Sequence, residues 1–132
     1  MKKQLFLVFA LLFTVAIVGC KKQDNATKPL RTKALGRWEL VKIETTLSGA
    51  AAVTVDYTSS DYFYFKDGED DILERKLCST VQSGNYVFLT GNNFNITIDG
   101  KTYICVANTI TDNNFEFTGK EGNNTIKTYL KR

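Results

Sequence analysis

Asp61-Tyr62-Phe63-Tyr64-Phe65-Lys66-Asp67-Gly68 decides how the rest of this 132-residue chain is read. A strand points successive side chains to opposite faces, so Phe63 and Phe65 share one face while Tyr62 and Tyr64 share the other. The alternation ends at Asp-Gly, a strong hairpin signal because both residues tolerate the positive φ of a tight turn. Outward from this stretch the same two-residue period recurs in short runs, broken by turn residues about every 8 to 12 positions. Gly36 to Glu44 lies before it. After it come Ile72 to Val81, Tyr86 to Leu89, Phe94 to Ile98, Lys101 to Val106, Phe115 to Phe117 and Thr125 to Arg132. Ser83-Gly84-Asn85, Gly91-Asn92-Asn93, Asp99-Gly100, Asp112-Asn113-Asn114 and Glu121-Gly122-Asn123-Asn124 supply turns between them. No helical stripe is present.

Val53 to Tyr57 adds one further strand, so the pattern predicts an all-β domain of eight or nine strands. Tight turns make sequential strands antiparallel neighbours. Eight up-and-down strands close into a small barrel, which removes the sticky edges of an open aromatic meander. A two-sheet β-sandwich is the alternative. It needs long crossovers, for which only Ser48 to Ala52 and Thr58 to Asp61 offer loops.

The N-terminal part reads differently. Met1-Lys2-Lys3-Gln4 is a positive n-region, and Leu5 to Val18 is an apolar run too short to span a hydrocarbon core of about 30 Å. Gly19 and Cys20 follow, and the segment resembles a bacterial lipoprotein signal whose removal leaves Cys20 as a lipid-modified first residue. Residues 1–19 are therefore expected to be a signal peptide. Residues 20–33 are expected to be the lipidated terminus and a flexible tether, because Lys21 to Lys33 is polar, has no hydrophobic period and holds the chain's single proline, Pro29. Residues 34–132 remain as one domain.

Charge has to be partitioned along these segments. The tether carries Lys21, Lys22, Lys28, Arg31 and Lys33 against Asp24 alone. From Ala34 onward there are 10 basic and 13 acidic residues, a net charge near −3. An acidic domain argues against nucleic acid as a partner, since phosphate binding needs clustered cations on the domain itself. The basic tether suits anionic lipid headgroups beside the anchor, at about 1 kcal/mol per charge. An incidental charge on a solvated spacer explains it equally well.

Several chemistries are disfavoured. The sequence has no histidine, which removes the commonest general base, the commonest zinc ligand and every Ser-His nucleophile. Asp67-Gly68-Glu69-Asp70-Asp71 is the one dense carboxylate cluster, and it lacks the spacing of a calcium loop. It reads as a solvated turn. No enzyme activity, metal or cofactor is expected. Once Cys20 is assigned to lipid, Cys78 and Cys105 remain. A disulfide between them would contribute about 3 to 4 kcal/mol in the chain-entropy model. In a strict meander the two lie on strands three apart in order, which favours two buried free thiols; both outcomes stay open.

A family resemblance rests on spaced motifs. Ala34-Leu35-Gly36-Arg37-Trp38-Glu39-Leu40 resembles the G-x-W opening of lipocalins and other calycin barrels, and Tyr129-Leu130-Lys131-Arg132 resembles the basic end of their last strand. The closest likeness is to lipocalin-like lipoproteins of Bacteroidetes, with L-x-G-x-W after a lipoprotein signal and a Phe65-Lys66-Asp67-Gly68 hairpin mid-chain. The likeness spans the mature domain as short motifs; the second and third lipocalin motifs and the helix before the last strand are missing.

The resemblance implies that Gly36, Trp38 and a terminal cation, Arg132 or Lys131, close one barrel end. Arg132 is the better choice, since a guanidinium stacks on an indole face better than an ammonium. It also implies a small apolar or amphipathic ligand inside the cup, with Leu40, Phe63, Phe65, Tyr86 and Phe88 as candidate lining residues. A small eight-stranded barrel can instead be filled by its own side chains. That would make the protein a tethered module contacting a protein or glycan through its surface, with Tyr62 and Tyr64 as an exposed patch. The expected setting is a monomer anchored by Cys20 at the outer membrane, facing the periplasm: Lys21 is not an inner-membrane retention signal, and no acidic stretch follows Cys20.

Overall fold

The computed structural model describes residues 29–132. Cys20, the apolar run from Leu5 to Val18 and most of the expected tether lie outside the described residues. The chain forms a closed antiparallel eight-stranded barrel with one extra strand and a single helical turn at its base. The elements are α1 (Leu30–Ala34), β1 (Gly36–Thr46), β2 (Val53–Asp56), β3 (Tyr62–Phe65), β4 (Ile72–Leu77), β5 (Thr80–Phe88), β6 (Asn93–Ile98), β7 (Lys101–Ile110), β8 (Asn114–Glu121) and β9 (Asn124–Lys131). From β3 to β9 each strand pairs with the next in sequence.

β1 closes the ring. One of its edges pairs along most of its length with β9, from Glu39 with Lys131 to Thr46 with Thr125. Its other edge is shared: Gly36–Glu39 pair with β3 and Lys42–Thr45 with β2. β2 and β3 are thus two collinear pieces of one wall strand. The ladder runs up to the break on both sides, with Leu40 N–H bonded to Asp61 O (2.9 Å) and Tyr57 N–H to Val41 O (2.9 Å). β2 pairs with β1 alone, and all four of its residues are exposed. Ring closure uses only pairings among residues 36–131, so the barrel is a self-contained folding unit.

Two β-bulges set what faces inward. The β1–β9 register slips at Val41, and the inward set changes from Trp38 and Leu40 to Ile43 and Thr45. The β7–β8 register slips at Asn108, so that Cys105 and Ala107 are followed on the inside by Ile110. Both flips keep apolar side chains inside where strict alternation would turn them out.

The structure corrects the sequence reading in four places. Leu30, expected in the tether, is buried together with Ala34 on one face of α1, so the folded unit begins at Leu30. A lone leucine among polar residues shows no period, and its burial depends on the barrel floor above it. Asp67-Gly68 is not a two-residue hairpin; it lies in a six-residue loop from Lys66 to Asp71, closed by Lys66 N–H to Ile72 O at 2.9 Å. The run from Ile72 to Val81 is two strands, split at Cys78-Ser79, where Cys78 takes φ 58°. Nothing in the residue types marks that turn. Conversely, Ser83-Gly84-Asn85 lies within β5. Gly84 serves close approach between strands, since a Cβ there would meet Thr97 O at 2.1 Å.

Candidate functional site: a half-filled barrel

The barrel is packed at one end and hollow towards the other. At the packed end Trp38 is fully buried and its Nε1–H donates to Ala34 O at 2.8 Å, tying β1 to α1. The Arg132 guanidinium carbon stands 3.7 Å from the centroid of the Trp38 ring. Arg132 donates from Nη1 to Leu35 O (3.0 Å), from Nη2 to Lys33 O (3.0 Å) and from Nε to Asp112 O (3.2 Å). Gly36 has φ +108°, where L side chains are strained, and a Cβ on it would lie 3.0 Å from Arg132 Nη1. Arg31 closes the same end from outside by pairing with Asp71 (2.8 Å) and, at 4.0 Å, Asp67. These carboxylates of the acidic loop therefore brace α1.

Above Trp38 the interior is aromatic. Phe65, Tyr86, Phe94 and Phe115 are buried with ring centroids 5.4 Å (Phe65–Tyr86) to 6.0 Å (Phe94–Phe115) apart, and Leu40 and Leu73 fill the spaces among them. Tilted and edge-on pairs of this kind each contribute about 0.5–1.5 kcal/mol beyond area burial. The Tyr86 hydroxyl satisfies itself on Lys66 O. Leu40, Phe65 and Tyr86, expected as ligand-lining residues, therefore form a plug. Phe88 is half-buried and lines a separate surface groove of about 440 Å³ with Leu30, Arg31 and Ile110 at the packed end.

Phe63 is the one candidate that borders the interior cavity. With Phe117, 6.0 Å away between centroids, it stands at the plug's upper side. The cavity has a volume of about 210 Å³, partly open to solvent. Ile43 and Thr45 of β1, Leu77 of β4, Ile96 of β6, Tyr103 and Cys105 of β7, and Ile126 and Thr128 of β9 form its walls, with Tyr57 at the β2–β3 break. Gly119 leaves room for Cys105, since a Cβ on it would sit 3.2 Å from Sγ.

One wall residue is charged. Arg75 of β4 projects inward between Leu73 and Leu77 and lines the cavity. Its Nη2 donates to Gln82 Oε1 at 2.5 Å, but its Nε is buried with no partner. Among the described residues no carboxylate lies within 4.0 Å of it. Burial lowers its pKa, partly offset by Tyr103, Asp99 and Tyr57; an arginine so placed still keeps its charge.

The cysteines are both free. Cys105 is buried, and burial pushes its thiol up to about 12. Cys78 is exposed at the β4–β5 turn, which corrects the expectation of two buried thiols and leaves no disulfide between them. Asp61, which drew no attention as a site residue, is only 3 % exposed and latches the β2–β3 break. Its carboxylate accepts from Cys78 N–H (2.7 Å) and Thr58 N–H (3.1 Å). Of the outward tyrosines, Tyr62 lies under Arg37 at 4.2 Å and its hydroxyl donates to Glu74 at 2.6 Å, while Tyr64, with Lys66 Nζ 5.6 Å from its ring, stays exposed.

The fold and cavity define a small closed β-barrel with an internal cavity of about 210 Å³. Comparison of the chain with protein-family models, curated proteins and solved structures gives no match.

Proposed function

We propose that this chain is a cell-envelope lipoprotein of lipocalin-like type, held at the outer membrane by lipid on Cys20, whose barrel takes up a small apolar or amphipathic ligand. The observation that carries the ligand reading is the half-open, largely apolar cavity of about 210 Å³ above the aromatic plug. An engineered apolar cavity of about 150 Å³ suffices for benzene, so this space suits a ligand of roughly ten heavy atoms, or the end of a longer one reaching in through the mouth. The polar pair Arg75–Gln82 beside that space is of the kind that orients a ligand. The competing reading, contact through a Tyr62–Tyr64 patch over a filled core, has less support, because the core is not filled throughout and Arg37 covers Tyr62, leaving only Tyr64 exposed.

Native mass spectrometry of the barrel tests the ligand reading. A bound small molecule that leaves on activation is expected. A clean apo mass, together with no thermal shift across a panel of lipids, would contradict it. Metabolic labelling with an alkyne fatty acid tests the anchor: the label is expected on the full chain and lost in Cys20→Ala.

A further inference from the structure

Arg75 is an anomaly in this interior. A charge drawn even partly out of water is best tolerated when it is paired and fully hydrogen-bonded, and Arg75 is part-buried. Here the guanidinium has one neutral partner, Gln82, and a buried Nε with none, and it borders an otherwise largely apolar cavity. The neighbouring inward positions of β4 are Leu73 and Leu77, and the wall meets the Arg75 charge only with neutral groups, its cross-strand partner Gln82 and the Phe63 ring 6.0 Å away. We infer that the cavity takes a singly charged anionic amphiphile, a carboxylate on a short apolar chain, whose head pairs with the free side of the Arg75 guanidinium. The planar guanidinium, with N–H groups that Gln82 leaves free, matches a carboxylate. A single cation favours a monoanion, because a doubly charged phosphate would bring a second charge into the cavity with nothing to meet it. The apolar chain would then lie against walls such as Ile43, Ile96 and Ile126.

This inference rests on the ligand reading above, and the test separates the two. Octanoate, octan-1-ol and octylammonium share one chain and differ in head charge. Titrated into the barrel of residues 29–132, octanoate is expected to bind at least tenfold more tightly than octanol, and octylammonium most weakly. Arg75→Met is expected to bring octanoate to the level of octanol while octanol binding persists, and Arg75→Lys is expected to keep part of the preference. Equal binding of octanoate and octanol to the unaltered barrel would overturn the anionic head while leaving the cavity reading intact. Octanoate preference that survives in Arg75→Met would overturn it as well. No binding by any of the three would overturn both readings.

Discussion

At the residue scale, the packed end depends on geometry that close substitutes cannot copy. Arg132 reaches three backbone carbonyls, those of Leu35, Lys33 and Asp112, while lying over Trp38. An ammonium has the charge without the fork, so Arg132→Lys is expected to cost about 1 kcal/mol, and Gly36→Ala, forced into a positive φ against Arg132, about 1–3 kcal/mol. Urea denaturation of the two variants checks both; a loss-free Gly36→Ala would contradict the strain. Parity explains why Arg132 and not Lys131 fills this role: Thr128 and Leu130 are buried, and Arg132, just past the end of β9, continues their parity and reaches the Trp38 face.

The thiols behave oppositely for a related reason. In the native barrel Cys78 is expected to react promptly with an alkylating agent, and Cys105 only after unfolding, because its burial holds the thiol protonated up to about 12. Intact-mass measurement before and after denaturant counts the labels. One label on the native barrel of residues 29–132 and two on the same barrel unfolded is the expected pair of results.

At the element scale, the break between β2 and β3 is the least repetitive part of the wall, and one carboxylate holds it. Asp61→Ala removes the acceptor for the N–H groups of Cys78 and Thr58. Hydrogen bonds to a charged acceptor contribute about 1.5–3 kcal/mol each, so losing these two part-buried bonds is expected to cost about 2–4 kcal/mol and to speed exchange of both amides. Unchanged exchange there would contradict the latch.

Which elements were legible follows from how each is specified. Strands with unbroken alternation between glycine or asparagine turns, such as β3, β6 and β8, declare themselves. The β4–β5 turn does not, because Cys78 adopts φ 58° in a place where sequence usually signals glycine or asparagine. The two bulges are equally silent. Each inserts one residue and reverses the inward set, so alternation counted from Trp38 points Ile43 and Thr45 the wrong way. That hides Ile43 as a lining residue, whereas Arg75 keeps the unbroken parity of Leu73 and Leu77 and is hidden because a charged residue in a strand reads as outward-facing. Leu40, Phe65 and Tyr86 were chosen as large, apolar and inward-facing; all three are, but their height along the barrel axis places them in the plug.

At the scale of the whole molecule, the chain divides its interior between stability and space. Aromatic packing, the Trp38–Arg132 stack and α1 fill and seal one end. Towards the other, residues as small as Gly119 and Thr128 leave about 210 Å³ unfilled beside a guanidinium that has no carboxylate partner among the described residues. Such a site is less stable than a filled one, a common trade where function needs the room. Architecture was readable because it depends on period and turn spacing. The hollow was not, because it depends on side-chain volume summed across seven strands that meet only in three dimensions.

The most direct test of the ligand-binding account is methyl NMR of the barrel during titration with octanoate. Resonances of Ile43, Ile96 and Ile126, and of Leu77, are expected to shift with a single saturable curve, while Leu40 and Leu130 in the packed end stay in place. Shifts confined to Leu30 and Ile110 at the outer groove, or none at all, would contradict the account.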